Sequence, residues 1–436
     1  MSRLGNRLAR TVMLSLCALI SGVLPIGPAQ AAIEGITGPT FTLTAKAGYI
    51  STGDGQSLLA YGYANGAGEM QYPGPTLIVD QGDTITITLI NQLPAIAPDA
   101  APNVSIVFPG QENVSANPAG NPASTAQGNL TLEARPTGSV TYTFVASQPG
   151  TYLYHSGTDT ALQVEMGLTG ALIVRPNVGD PLHRAYGHED SRFDREYLFF
   201  QTEMDINIHR LVELGARAMV DFSTYRPTLW FFNGRNAPDS MSDNYVAWLP
   251  TQPYGSMAMM HPGEKVLLRL VGGGRDFHPF HHHGNNTWLI AKDGRLLQSA
   301  SNSGPDLAVS NFTITIAPGE TYDATFEWTG QGLGFDIYGH APGDPMAPNE
   351  DGADHGKPLP TVLPDFLSVT IGGFYSGSPF IGQVGALPPG QGGLNPNGAV
   401  VFMWHSHTER ELTNDDIFPG GAMAMMMIEH PDVPLP

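Results

Sequence analysis

Short runs in which apolar and polar residues alternate recur along this chain, and helical periodicity is nearly absent. Thr84-Ile85-Thr86-Ile87-Thr88-Leu89, Ser139-Val140-Thr141-Tyr142-Thr143-Phe144 and Phe312-Thr313-Ile314-Thr315-Ile316 put every second side chain on one face of an extended strand. Residues 76–79, 168–174, 265–271 and 321–328 read as strands as well, and Gly, Pro, Asn or Asp bounds most of these runs. Many short strands separated by turn residues predict an all-β chain, a sandwich or a barrel.

Two blocks share one grammar. In the first, YPGPTLIVDQGDTITITLINQLP is followed by SVTYTFVASQPGTYLYHS and GLTGALIV. In the second, HPGEKVLLRLVGGG is followed by HPFHHHG, NFTITIAPGETYDATFEW and a closing WHSH. Each has a Gly-Asp or Gly-Glu turn before one strand and a Pro-Gly turn before a later strand that runs toward a histidine. This predicts two related sandwich domains, 32–176 and 251–436, joined by a connection over 177–250 that supplies the first strands of the second. Residues 336–363, rich in Gly, Pro, Asp and Asn, predict a surface loop inserted in the second domain.

The N-terminus changes the compartment. Arg3, Arg7 and Arg10 precede an apolar stretch over 11–27 and a small-x-small site at Ala29-Gln30-Ala31, the layout of a secretory signal peptide over 1–31. The protein is expected to be exported, to a periplasm or the exterior, with no membrane span after cleavage. Cys17 is the only cysteine and lies in that leader, so the mature chain holds no disulfide, thiolate metal site or cysteine nucleophile. The formal charge of −20 becomes −23 once the three arginines are removed, which argues against nucleic acid as a partner.

Histidines cluster at His155, at His278 with His281, His282 and His283, and at His405 with His407. Residues i and i+2 of a strand share a face, so each H-x-H pair can aim at one point, and imidazole suits copper, zinc and iron. Met423, Met425, Met426 and Met427, with Met257, Met259 and Met260, read as core strands, with thioether ligation of Cu(I) as the alternative.

PGPTLIVDQGDTITITLINQLP, GTYLYHS, GLTGALIV, HPFHHHG and WHSH, in that order, resemble the multicopper oxidase family of cupredoxin-fold proteins. EYLFFQTEMDINIH and YRPTLWFFNGRNAPDS look like the connection into the second domain of its two-domain, laccase-like members. The resemblance implies two cupredoxin-like Greek-key β-sandwich domains. It implies a blue type 1 copper, held by two histidines, a cysteine and a weak axial ligand, and a trinuclear cluster held by four H-x-H pairs.

Matched position by position, that machinery is incomplete. Val107 and Pro109 stand where the first pair belongs, and His155-Ser156-Gly157 keeps half of the second. His281 with His283 and His405 with His407 complete the third and fourth. His278 matches one type 1 histidine, Ser406 replaces the cysteine, and Glu411 replaces the other histidine. The expectation is copper at reduced stoichiometry, with zinc as an alternative occupant. It would be bound between the domains by His155, His283, His405 and His407, with His281 alongside and His278 as a weaker candidate. Two functions follow: a copper-dependent oxidoreductase working without a blue copper, or a non-enzymatic copper-binding or scaffold protein. Laccase-type turnover requires the missing cysteine, and no catalytic residue can be named. The resemblance further implies a homo-oligomer, a trimer.

Overall fold

A computed structural model describes residues 33–179, 183–348, 350–358 and 400–436. The expected leader over 1–31 lies outside them, as does the end of the expected loop, 359–363. All seven strands expected from alternation form, among them Gly74–Asp80, Thr84–Asn91, Lys265–Gly272 and Thr321–Glu327. The second of these alternates strictly between inward Ile85, Ile87 and Leu89 and outward threonines, as a half-buried strand must.

The first sandwich stacks two sheets. One orders Ser57–Asn65, Thr40–Ser51, Thr84–Asn91, Ser139–Val145 and Ser115–Pro118; the other orders Ile36–Thr37, Gly74–Asp80, Thr169–Arg175 and Gly150–His155. Leu43, Ile87, Leu89, Tyr142, Tyr154 and Leu172 fill the space between them. Helix Ile206–Glu213 returns to this core after the chain has begun the second sandwich, burying Ile208 and Val212 there.

The second sandwich has a larger sheet built on Arg195–Met204, Lys265–Gly272 and Thr321–Glu327. It faces a five-stranded sheet ordered Ala258–Met260, Met423–Ile428, Val400–Ser406, His278–His282 and Thr313–Ile316. Phe199, Phe280, Phe326, Phe402 and Trp404 form its core. Hairpins such as Thr40–Ser51 with Ser57–Asn65 and Thr287–Lys292 with Arg295–Leu296 sit beside pairs of strands far apart in sequence, such as Thr40–Ser51 with Thr84–Asn91 and Arg195–Met204 with Lys265–Gly272, which crossovers connect. The fold is all-β, as expected.

The two sandwiches share a third, smaller core. Leu153, Ala171 and Ile173 of the first pack on Leu198, Phe200 and Val271 of the second. Beside it runs a buried polar chain. Glu196 pairs with both Arg175 and Arg269, and Asp323 accepts hydrogen bonds from Thr151 and Tyr186, each at 2.5 Å. Burial raises the Glu196 carboxyl, but the guanidiniums of Arg269 and Arg175 outweigh it and hold the group below its ordinary range. Paired and hydrogen-bonded on several sides, these charges fix how the sandwiches seat on each other.

Within 336–358 the chain forms turns and no strand. Among its described residues Asp336, Ile337 and Asp354 are buried, Ile337 in the second core, and the others are half-buried or exposed.

Candidate metal centre

The register of two antiparallel strands builds the centre. His281 sits directly opposite His405. His283 and His405 share the outer face of their sheet with His281, because Phe280, His282 and Trp404 take the inner one. One ligating nitrogen from each of His281, His283 and His405 lies within 4.8 Å of the others. His405 Nε2 is 3.3 Å from His283 Nε2. That is the ~3.3 Å spacing of two nitrogens ~2.0 Å from one tetrahedral ion.

The rings of His281 and His405 are held from behind. The Nδ1–H of His405 donates to the Ser406 carbonyl at 2.6 Å, which leaves Nε2 bare and aimed into the group. His281 Nδ1 is 2.7 Å from the Thr313 hydroxyl. Such partners on the far nitrogen orient metal-binding imidazoles. Burial, then the neighbouring imidazoles, push His281 and His283 down to about 4, and burial lowers His405. All three are neutral near pH 7, the form that binds metal.

The remaining expected ligands are placed differently. His407 follows the end of strand Val400–Ser406, is exposed, and stands at the rim with its ring centroid 4.7 Å from that of His281. His155 ends strand Gly150–His155 of the first sandwich and is not one of the converging histidines. Within one chain the structure thus brings His281, His283 and His405 together on the second sandwich, with His281 central, and does not bring His155 to them. His282 faces inward among Phe280, Phe326 and Trp404.

The first sandwich has closed over its lost ligands. Val107 and His155 exchange backbone hydrogen bonds, and a Cβ added at Gly157 would lie 2.8 Å from the Val107 side chain. Two of the three vacated ligand positions, Val107 and Gly157, now pack on each other, so a trinuclear cluster does not fit these residues.

Neither does a blue copper. His278 is three residues from His281, which puts it on the opposite, inward face. There its Nε2 is 2.8 Å from Glu203 and its Nδ1 2.9 Å from Glu411, all three side chains being buried. Burial lowers the imidazole, but the two carboxylates overcome it and lift His278 up to about 10. With a carboxylate at each ring nitrogen, His278 is engaged on both sides and is not brought into the histidine group. Glu203 also accepts from the backbone amides of Arg275 and Asp276. A Cβ at Gly274 would meet its carboxylate at 1.9 Å, so only glycine leaves room for this ion triad. The Ser406 hydroxyl accepts from the Thr408 amide. Glu203 was not singled out from sequence. A glutamate near the end of the largely apolar run EYLFFQTEM is the signal, since an acid in a buried strand needs a partner.

The methionines divide by strand parity. Met260 and Met426 are core, as read from sequence, whereas Met423, Met425 and Met427 alternate onto the outer face. There Met423 pairs with His405 and Met425 with Met403, so thioethers flank the histidine group along its own face.

An all-β fold of two cupredoxin sandwiches with a three-imidazole centre defines a copper-protein class, and comparison with known proteins agrees. The multicopper oxidase family model matches residues 65–178. Copper resistance protein A of Escherichia coli is 26% identical over 287 residues, 59% of this chain and 42% of that protein. Laccase-3 of Arabidopsis thaliana is 27% identical over 259 residues, 58% of this chain and 38% of that protein. The chain thus spans under half the length of either relative. Among solved structures, the multicopper oxidase mgLAC superposes with a TM-score of 0.56 at 18% identity, over 91% of this chain and 87% of that one. A blue copper oxidase from Nitrosomonas europaea gives 0.54 at 18%, over 89% and 85%. These matches make the chain similar to the multicopper oxidase family, with the family model itself limited to 65–178. Among the described residues, no helix is long and apolar enough to cross a membrane.

Proposed function

We propose that this is an exported copper-binding protein that holds one copper ion at His281, His283 and His405, with His407 at its edge, and that works without a blue-copper relay. The observation that carries this reading is the contrast between two places. Three neutral imidazoles converge at one, while a buried Glu203–His278–Glu411 triad fills the region where a type 1 copper would need its ligands. Bound copper would supply a redox-active, Lewis-acidic centre there; the chain supplies the three nitrogens, their orientation and the dry wall behind them. The thioethers on the same face favour copper over zinc, because soft sulfur suits Cu(I). The test is copper content and electron paramagnetic resonance of the purified chain. One Cu(II) per chain with nitrogen coupling and no intense copper–thiolate absorption is expected; a strongly blue protein would end the proposal. Ser406→Cys alone should stay colourless, because both nitrogens of His278 are engaged and Glu411 replaces the second imidazole.

Half-buried His283 and exposed His407 leave the centre open on one side, which favours a second reading, a copper-dependent oxidoreductase whose substrate meets the metal directly. Oxygen uptake by the copper-loaded chain with phenols or Cu(I) separates it from simple binding. The resemblance to the family also supports a trimer. In a trimer, a neighbour can cover that open side, and His155 gains partners that a single chain does not give it. Sedimentation velocity tests this.

Metal adds to a fold whose cores are complete without it. Chelation should therefore lower the melting temperature by a few degrees, as loss of a bound ligand does, and leave the β-sheet circular dichroism at room temperature unchanged.

A further inference from the structure

We propose that Asp336, His340, Glu350 and His355 form a second metal site, separate from the histidine centre, that takes one zinc-type divalent transition-metal ion. One ligating atom from each lies within 4.8 Å of all the others. His340 Nδ1 is 3.1 Å from Glu350 Oε2, 3.2 Å from its Oε1, and 3.4 Å from Asp336 Oδ2. His355 Nδ1 is 2.7 Å from Glu350 Oε1 and 3.8 Å from Asp336 Oδ2. These spacings bracket the edge of about 3.3 Å expected for a tetrahedron with bonds of ~2.0–2.1 Å to nitrogen and carboxylate oxygen.

The charge balance points the same way. The Asp336 side chain is fully buried and that of Glu350 is 3% exposed. Among the described residues, no Lys or Arg lies within ion-pair distance of either carboxylate; Lys357, the nearest cation in sequence, pairs with Asp354 instead. Metal ligation requires both imidazoles in their neutral form, and in that form the two carboxylates leave a charge of −2, which a divalent cation cancels. The carboxylates are also pre-set. Asp336 accepts from the amides of Tyr338 and Gly356, each at 2.8 Å, and Glu350 from that of Ala347 at 2.7 Å. Backbone donors on the outer lone pairs leave the inner ones for a metal. The donor set of two nitrogens and two oxygens excludes a calcium-type site, which is built from oxygens, and suits zinc. Its role follows from its place: the ligands are drawn from both ends of a turn-rich segment that has no strand to hold it, so the ion would clasp the segment to itself.

The test is zinc titration of the full chain after chelator treatment, with calcium as a competitor. The wild type is compared with a His281→Ala/His405→Ala variant, a His340→Ala/His355→Ala variant, and Glu350→Gln, which keeps the shape of the side chain. The His281/His405 variant should still bind one zinc, unaffected by calcium, and zinc should protect residues 329–358 from limited proteolysis. Glu350→Gln, its fold checked by circular dichroism, should bind that zinc at least ~10-fold more weakly, as loss of a ligand requires. The proposal is overturned if the His340/His355 variant binds as much zinc as the wild type. It is equally overturned if the His281/His405 variant binds none, or if calcium displaces the ion.

Discussion

Replacing His281 or His405 by alanine should weaken copper binding by at least ~10-fold each, and replacing both should abolish it, since even partners behind a ligand are worth about that much. The effect should be graded. His281 and His405 face each other in register, are 8% exposed, and are each held from behind by a hydrogen bond. His283 completes the group but is more open. His407 lies beyond the strand end, and His407→Ala should cost less than any of the three. His155→Ala and the unrelated His188→Ala should leave the affinity of a monomer unchanged. Isothermal titration with Cu(II), at a protein concentration where sedimentation shows a single chain, measures all six. If the His281, His283 and His405 variants keep full affinity, copper binds elsewhere. If His155→Ala loses as much as His405→Ala in the monomer, the centre lies between the sandwiches after all.

The strands were legible because each half-buried strand writes its two faces into the sequence, as Thr84–Asn91 does. The same parity made His281 and His283 partners. It weakens at His407, which follows the strand end at Ser406 and stands at the rim of the group, its ring centroid 4.7 Å from that of His281. It also held the answer for His278, whose offset of three from His281 assigns it to the other face; the family resemblance, not the spacing, made it a ligand candidate. What parity cannot carry is distance between strands. Nothing in His155 itself says that its strand lies in the other sandwich, away from the group. The cluster of Asp336, His340, Glu350 and His355 was illegible for a different reason. Its ligands come from turns, where no period links sequence spacing to direction, and two histidines among acids in a polar segment look like solvated loop.

Removing the charge of His278, by His278→Gln, should destabilise the fold by about 3–5 kcal/mol, the usual cost of leaving a buried charge without its partner. Two carboxylates would then face each other across the second sandwich with one cation fewer. The surroundings offer little relief. Tyr225 bridges Glu203 and Glu165, burial and those carboxylates raise its phenol, and burial also raises Glu165 and Asp276. The Tyr225 hydroxyl and the backbone amides of Arg275 and Asp276 are the donors that remain on Glu203. A double variant, His278→Met/Glu411→Leu, removes one charge of each sign and should recover part of the loss, since apolar replacement of a buried pair is often neutral. The triad also sets a pH signature. His278 is lifted from an ordinary 6.5 up to about 10, so its contribution is full below about pH 6.5 and fades as pH rises through 10. Glu203 is held below its ordinary 4.5, chiefly by His278 against the pull of burial. Its contribution is present above that value and fades as pH falls through the lowered one. Urea unfolding of the wild type should therefore show stability highest between about pH 4.5 and 6.5, falling by several kcal/mol toward pH 10. The double variant should lack the alkaline slope. If both chains lose stability equally between pH 7 and 10, His278 is not an imidazolium, and the argument that a charge triad replaced the blue copper fails with it.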